Sequence, residues 1–254
     1  MDEGTSLASD ANSGPEPPRY AARVFVLPLA AAAAAVALAF AVALARRYVA
    51  DRRPSLAFWA VALLMYAAAS GAVAFGAASG WTPAAFRVYW ALGAVLNVPF
   101  LAQGEFDLLV RRREVRWVSY VVLAFVTAYA IAVVRTAEID PAALTSDLPS
   151  GKQVFGAGTA AHRLPQLVAI PAYLVLLGGA LWSAWRMRGR PELRDRFWGT
   201  LLIAFGATVI AGFGSAFAAL GHLAPFAISL LFGISIMFWG FSRASRRSRE
   251  ASRR

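Results

Sequence analysis

The first apolar run of the chain reads VFVLPLAAAAAAVALAFAVALA from Val24 to Ala45, and Arg46 and Arg47 follow it directly. The run contains no charged side chain and is apolar all round, whereas an amphipathic helix of a soluble protein keeps a polar face. Because a bilayer core of about 30 Å needs roughly 20 apolar helical residues, the run predicts a transmembrane helix. It is much longer than a barrel strand of about 10 residues, which argues against a β-barrel.

Six further runs of similar length and composition follow along the chain. They extend over residues 55–79, 88–110, 117–134, 164–185, 197–220 and 223–242. Charged residues make up 15% of the chain, against about 25% in soluble domains, so little polar surface is present to cover a water-soluble fold. The sequence therefore predicts an all-α polytopic membrane protein, with one seven-helix transmembrane bundle over residues 23–242.

Basic residues collect in alternate connections between these runs. Nineteen of the 25 lie in the first, third and fifth connections and in the C-terminal segment, and that side has a net charge of +14. The opposite side has a net charge of −1. Because Lys and Arg in short loops mark the cytoplasmic face, we expect the N-terminus outside and the C-terminus in the cytoplasm.

Three segments lie outside the predicted spans. Residues 1–22 are polar and rich in Pro, Ser and acidic residues, which predicts a disordered extracytoplasmic tail. Residues 135–163 form the longest connection and contain turn dipeptides such as Asp140-Pro141, which predicts an outer loop. Residues 243–254 predict a basic cytoplasmic tail that lies against anionic lipid headgroups. The headgroup contacts are expected from Arg243, Arg246, Arg247 and Arg249.

The third run contains the polar side chains of greatest functional interest, in the segment NVPFLAQGEFD from Asn97 to Asp107. An ionisable group inside a membrane is costly unless it is paired, and it is a functional candidate by default. Pro99 lacks a backbone N–H and is expected to kink the helix. On one hypothesis Glu105 and Asn97 line a proton or cation path through the bundle.

A structural alternative applies to the same segment. Gln103, Asp107 and Arg111 follow one another at steps of four, so they would form a stripe whose charges pair and reach the membrane interface. This favours a structural role for Asp107. Glu105 lies off the stripe, and both roles stay open for it.

Other possible sites are less specific. His162 and His222 fall in outer connections, where Asp140 or Asp147 would complete a metal site, but two histidines without fixed spacing also suit ordinary surface positions. The chain has no Cys, which excludes disulfides and thiolate chemistry, and no cofactor is expected. The sixth run repeats small residues, which predicts a closely packed helix. They are Ala207, Ala211, Ser215 and Ala219, with Gly199, Gly206, Gly212 and Gly214.

Three motifs carry a resemblance to other proteins. They are Gln103-Gly104-Glu105 in the third run, LPSGK over residues 148–152 in the outer loop, and MFWGF over residues 237–241. With these motifs the chain resembles a group of uncharacterised seven-helix membrane proteins from GC-rich bacteria, over most of its length after the tail. The resemblance implies the same topology in a bacterial cell membrane, and it implies no activity.

Two classes of function remain as hypotheses. The first is transport of a small solute, ion or proton through the bundle. The second is a sensor or assembly protein that uses loop 135–163 and the arginine-rich face. A membrane enzyme comes third, because no convergent nucleophile, base or metal set is visible. The expected partners are the bilayer and its anionic lipids, while nucleic acid is not expected, and a protein partner or homo-oligomer stays open.

Overall fold

A computed structural model describes the backbone of residues 17–145 and 147–251, and the side chains of residues 25–145 and 147–244. Helix accounts for 88% of the structure, and no strand occurs in the part described. Seven helices in that part are long and apolar enough to cross a membrane, which confirms the all-α class and the number of spans. The chain therefore has the architecture of a multi-pass membrane protein.

The seven helices follow the apolar runs, with bounds that extend past most of them. The first, second and fourth are α1 (Pro17–Asp51), α2 (Pro54–Ser79) and α4 (Arg113–Thr136). The others are α3 (Pro83–Leu109), α5 (Ala160–Met187), α6 (Pro191–Ala219) and α7 (Leu223–Ala251). Between α4 and α5 the chain forms a single turn, Ala142–Thr145, and a short helix, Gly151–Phe155.

Both ends of the bundle differ from the predicted tails. Helix α1 begins at Pro17, so residues 17–22 are helical although they were expected in the disordered tail, while residues 1–16 lie outside the described residues. Proline suits the first turn of a helix, where its missing N–H costs nothing. Helix α7 continues to Ala251 instead of ending near residue 242, because Arg and Ala are good helix formers.

Six of the helices form a closed ring, and the seventh lies outside it. Along the ring each helix packs against the next in the order α1, α2, α3, α5, α6 and α7, and α7 returns to α1. Helix α4 packs on the outer side of this ring, against α3 and the first turns of α5. Since α4 sits outside, α5 can follow α3 directly, and these two helices share an interface.

Helices α6 and α7 meet through glycines. A Cβ atom added to Gly206 would lie 2.5 Å from the Gly233 carbonyl oxygen, and one added to Gly240 would lie 2.7 Å from the Gly199 carbonyl oxygen. The predicted close packing of α6 is therefore present, and Gly199 and Gly206 of the predicted set make it. Ser215 and Ala219, which belong to the same set, are exposed and take no part in it. Glycine brings the two backbones closer than alanine allows.

Three helices contain a wider π-helical turn: Tyr89–Leu96 in α3, Pro165–Ala169 in α5 and Val209–Gly214 in α6. The first two lie just before Pro99 and Pro171, which remove one backbone donor each. The Asn97 N–H bonds to the Leu92 carbonyl, five residues back, instead of the usual four. The expected disturbance around Pro99 therefore takes the form of a π-helical turn.

Candidate functional site

The C-terminal half of α3, from Asn97 to Leu109, brings polar side chains into the bundle. Asn97, Gln103 and Glu105 are buried, and Asp107 is half-buried. Gly104 sets the orientation of this segment, because any side chain there would collide with the Trp59 ring on α2. The Trp59 Nε1 group donates a hydrogen bond to the Leu101 carbonyl at 3.1 Å.

Glu105 lies at the interface between α3 and α5. Its residue is 7% exposed, and its Oε1 atom accepts a hydrogen bond from the Ser183 hydroxyl at 3.3 Å. Gly179 leaves the room for it, since an added Cβ atom would lie 2.7 Å from the Glu105 Cγ atom. Among the described residues, no basic side chain forms an ion pair with Glu105. The carboxyl group therefore lies inside the bundle, against α5.

Asp107 belongs to a separate polar cluster between α3 and α4. The Tyr120 hydroxyl donates to both carboxylate oxygens at 3.0 and 3.1 Å. The Gln103 amide donates to Asp107 at 3.2 Å and to the Ser119 hydroxyl at 3.0 Å. The structural role expected for Asp107 is consistent with these contacts, which tie α4 to α3.

The predicted interaction at steps of four is correct for Gln103 with Asp107 and wrong for Asp107 with Arg111. Helix α3 ends at Leu109, and Val110 is extended with φ −94° and ψ 116°. Arg111 therefore leaves the helical face on which the step of four was based. Arg116, on the first turns of α4, is the arginine that interacts electrostatically with Asp107.

Asn97 lies apart from both carboxyl groups. It precedes Glu105 by eight residues, which is about 12 Å along a helix, and no hydrogen bond joins the two side chains in the part of the chain described. Asn97 lies near the middle of its span, as do the hydroxyls of Tyr173 and Thr208, which lie 2.8 Å apart between α5 and α6. The four predicted polar residues thus occupy three environments instead of one site.

Several residues of these environments were not anticipated. Ser183 and Gly179 on α5, and Tyr120 and Ser119 on α4, are ordinary members of apolar runs. The pair Gly178-Gly179 followed by Ser183 was the available signal, because small residues on one helix leave space for a polar side chain on its neighbour. The sequence does not indicate which helix packs against α5.

The outer histidines do not gain the partners that a metal site needs. His162 lies in the first turn of α5, and His222 is exposed just before α7. Within the described ranges, no three side chains of His, Asp or Glu come together in a way that could hold a metal ion. Neither Asp140 nor Asp147 therefore completes the predicted site, because the loop that carries them packs against α3.

The connection between α4 and α5 is an ordered cap on one end of the bundle. The Trp81 indole donates to the Asp147 carbonyl at 3.0 Å, and the Trp90 indole donates to the Ala161 carbonyl at 2.9 Å. Leu148 is 1% exposed, and Gly151 lies directly against the Trp90 ring. Leu148, Pro149 and Gly151 of the LPSGK motif are therefore buried packing residues, while Lys152 is exposed.

The predicted headgroup residues are described in part. The Arg243 Nε atom lies 3.6 Å from an Asp195 carboxylate oxygen, which forms an ion pair between α7 and α6. The side chains of Arg246, Arg247 and Arg249 lie outside the described residues. Arg243 thus has a protein partner in addition to any lipid.

Comparison with protein-family models, with curated proteins and with solved structures found no match to this chain, so the resemblance to seven-helix bacterial proteins stays a prediction.

Proposed function

We propose that the protein transports protons across the membrane, with Glu105 as the group that carries the proton between the two sides. The observation that carries the proposal is the position of this carboxyl group, buried between α3 and α5 with a serine hydroxyl as its hydrogen-bond partner. An acid that served as an anchor would pair with arginine at the interface. Glu105 has no such partner among the described residues.

Three helices of the bundle share a feature that supports the proposal. π-helical turns are frequent at functional sites, and here they occur in α3, α5 and α6, on the opposite side of the membrane centre from Glu105. A shift of one residue at such a turn rotates the rest of its helix. Rotation of α3 or α5 would expose Glu105 to one side of the membrane at a time.

The mid-span polar groups extend the proposed route. Asn97, and the hydroxyl pair of Tyr173 and Thr208, lie between the level of Glu105 and the outer loop. Hydroxyl and amide groups relay or solvate a proton inside a protein better than aliphatic side chains, which offer no hydrogen-bonding group. The charge asymmetry of the connections supports an N-terminus outside the cell, with Glu105 nearer the cytoplasmic side.

The sensor and assembly hypothesis stays a prediction. Its segment, residues 135–163, packs onto α3 through apolar side chains and backbone acceptors, and these contacts support a structural cap. A cell membrane of a bacterium is the proposed location.

Flux measurements in liposomes test the transport proposal. Purified protein is reconstituted with an internal pH-sensitive dye, and a potassium gradient with valinomycin supplies the driving potential. We expect proton entry above that of protein-free liposomes, and we expect Glu105→Gln to reduce it to the protein-free rate because the amide cannot bind and release a proton. Glu114→Gln, the same change at an exposed position, should leave the flux unchanged. Equal flux in wild type and Glu105→Gln would contradict the proposal.

A further inference from the structure

Helix α4 is hydrogen-bonded to the ring near its two ends, and a groove opens beside it between these bonds. At the outer end the Arg87 guanidinium donates to the Val134 and Ala137 carbonyls at 3.1 and 3.0 Å. At the inner end Tyr120 and Ser119 bond to polar side chains of α3. An open groove lies between these attachments.

The groove has a volume of about 470 Å³ and is lined mainly by apolar side chains. Phe58 of α2 and Phe100 of α3 form its floor, and α4 contributes Leu123, Ala124 and Ala128. The hydroxyl of Thr127, which also lines it, donates to the Leu123 carbonyl of its own helix at 2.7 Å. The lining thus offers an occupant hydrocarbon contacts and few polar ones, in a volume typical of ligand sites.

The inner end of the groove is polar and basic. Tyr120 lines the groove and bonds to Asp107, and Arg116 follows one turn further towards the membrane surface. The Nε atom of Arg116 is buried and has no hydrogen-bond partner among the described atoms. Residues 111–113 are three exposed arginines, and Glu114 follows them in the chain. Residues 111–116 have a formal net charge of +3, which the Asp107 carboxylate beside Tyr120 reduces to +2.

The start of α4 adds a further contribution of the same sign. Its N-cap residue, Arg112, has no side-chain hydrogen bond to the first-turn amides. Free amides and the helix dipole favour an anion at such an end. Arginine matches a phosphate group because its planar N–H groups bond to two oxygens at once. A phosphate is therefore the anion that suits this end of the groove.

We propose that the groove between α4 and the ring binds one anionic phospholipid, with an acyl chain along Phe58, Phe100 and Ala128 and the phosphate headgroup against Arg116 and residues 111–113. Two observations favour a lipid of the surrounding leaflet as the occupant. The groove is open on its side, where the adjoining surface of α4 exposes Val121, at 66%, and other apolar side chains to the bilayer. The charge of its polar end is opposite to that of the headgroup.

Native mass spectrometry of the detergent-solubilised full chain provides the test, with phosphatidylglycerol and phosphatidylcholine as the two probes. We expect one phosphatidylglycerol to be retained more tightly than phosphatidylcholine. Arg116→Gln should weaken phosphatidylglycerol binding about fivefold, the equivalent of about 1 kcal/mol for one basic residue near a headgroup. Arg188→Gln removes the same charge from an exposed position away from the groove and should have little effect.

A second pair of variants tests the apolar part without altering charge. Ala128→Phe fills the groove and should abolish retention of the tightly held lipid, whereas Ala132→Phe places the same ring at an exposed α4 position that does not line the groove. Retention by Ala128→Phe equal to that of wild type would overturn the proposal. So would equal retention of the two lipids by the wild-type protein, because headgroup charge would then have no role. A monodisperse elution profile for each variant confirms that it is folded, and Arg116→Gln tests the same site without adding volume.

Discussion

Two interfaces of the bundle use glycine against different kinds of neighbour. Between α6 and α7, Gly206 and Gly233 bring two backbones together, with the apolar side chains of Met237 and Ile210 packed against them. Between α3 and α5, Gly179 makes room for the carboxyl group of Glu105 and for Leu109. The first interface is a packing contact, and the second holds a polar group away from lipid. Small residues in a transmembrane helix therefore indicate close approach of another helix. Whether that contact packs apolar groups or holds a polar side chain depends on the residues of the neighbouring helix.

The largest effect is expected from a side chain at the α6–α7 contact. Gly206→Leu places its Cβ atom against the Gly233 backbone, which cannot move aside without separating the helices. We expect a loss of about 3 kcal/mol or more in the free energy of unfolding, at the upper end of overpacking effects. Unfolding in detergent measures it, with Gly212→Leu as the control because nothing lies within 4 Å of a Cβ atom there. Equal stability of the two variants would contradict the prediction that the face of α6 with Gly206 is closely packed and that the face with Gly212 is open.

A smaller effect is expected at the α3–α5 contact. Gly179→Leu meets the side chains of Glu105 and Leu109, which can rotate, so we expect a loss of about 2 kcal/mol. Proton flux should also fall, because the carboxyl group is displaced. Gly178→Leu, one residue away with nothing within 4 Å, is the matched control for both measurements. A flux decrease in both variants alike would point to a general effect of helix bulk and would count against a specific place for Glu105.

The smallest effect is expected at the cluster that joins α3 to α4. Tyr120→Phe removes the hydroxyl that bonds to Asp107 and leaves the ring in place. We expect a loss of about 1 kcal/mol in the free energy of unfolding, the usual net value of one such bond. Proton flux should be unchanged because this cluster is separate from Glu105. Tyr129→Phe, at an exposed position on the same helix, is the control. A strong flux defect in Tyr120→Phe alone would contradict the separation and show that the Asp107 cluster is coupled to Glu105.

The fold class was predictable because its causes are local. A charge-free run of about 20 residues needs no knowledge of its neighbours to predict a transmembrane helix, since hydrocarbon demands that every backbone group be bonded within the helix. The seven runs and their helical state follow from that rule. Helix ends were less predictable, as the continuation of α7 to Ala251 shows, because helix propensity extends past the apolar run.

The candidate site was predictable in part. That polar groups on α3 matter could be inferred from their cost in a membrane, and Gln103 does bond to Asp107 as the step of four predicts. The partners on other helices could not be inferred, because Ser183 and Tyr120 approach α3 through packing between residues far apart in the chain.

The sequence by itself determined that this protein is a seven-helix membrane protein whose third helix carries the intramembrane acids. Hydropathy and charge are properties of short segments, so they can be read without knowing which helices pack against one another. The tertiary structure alone decided that α4 lies outside the ring and that Glu105 faces Gly179 and Ser183 of α5. In a bundle whose helices are apolar all round, no polar face marks which helices are neighbours, so close packing of small and large side chains makes that choice.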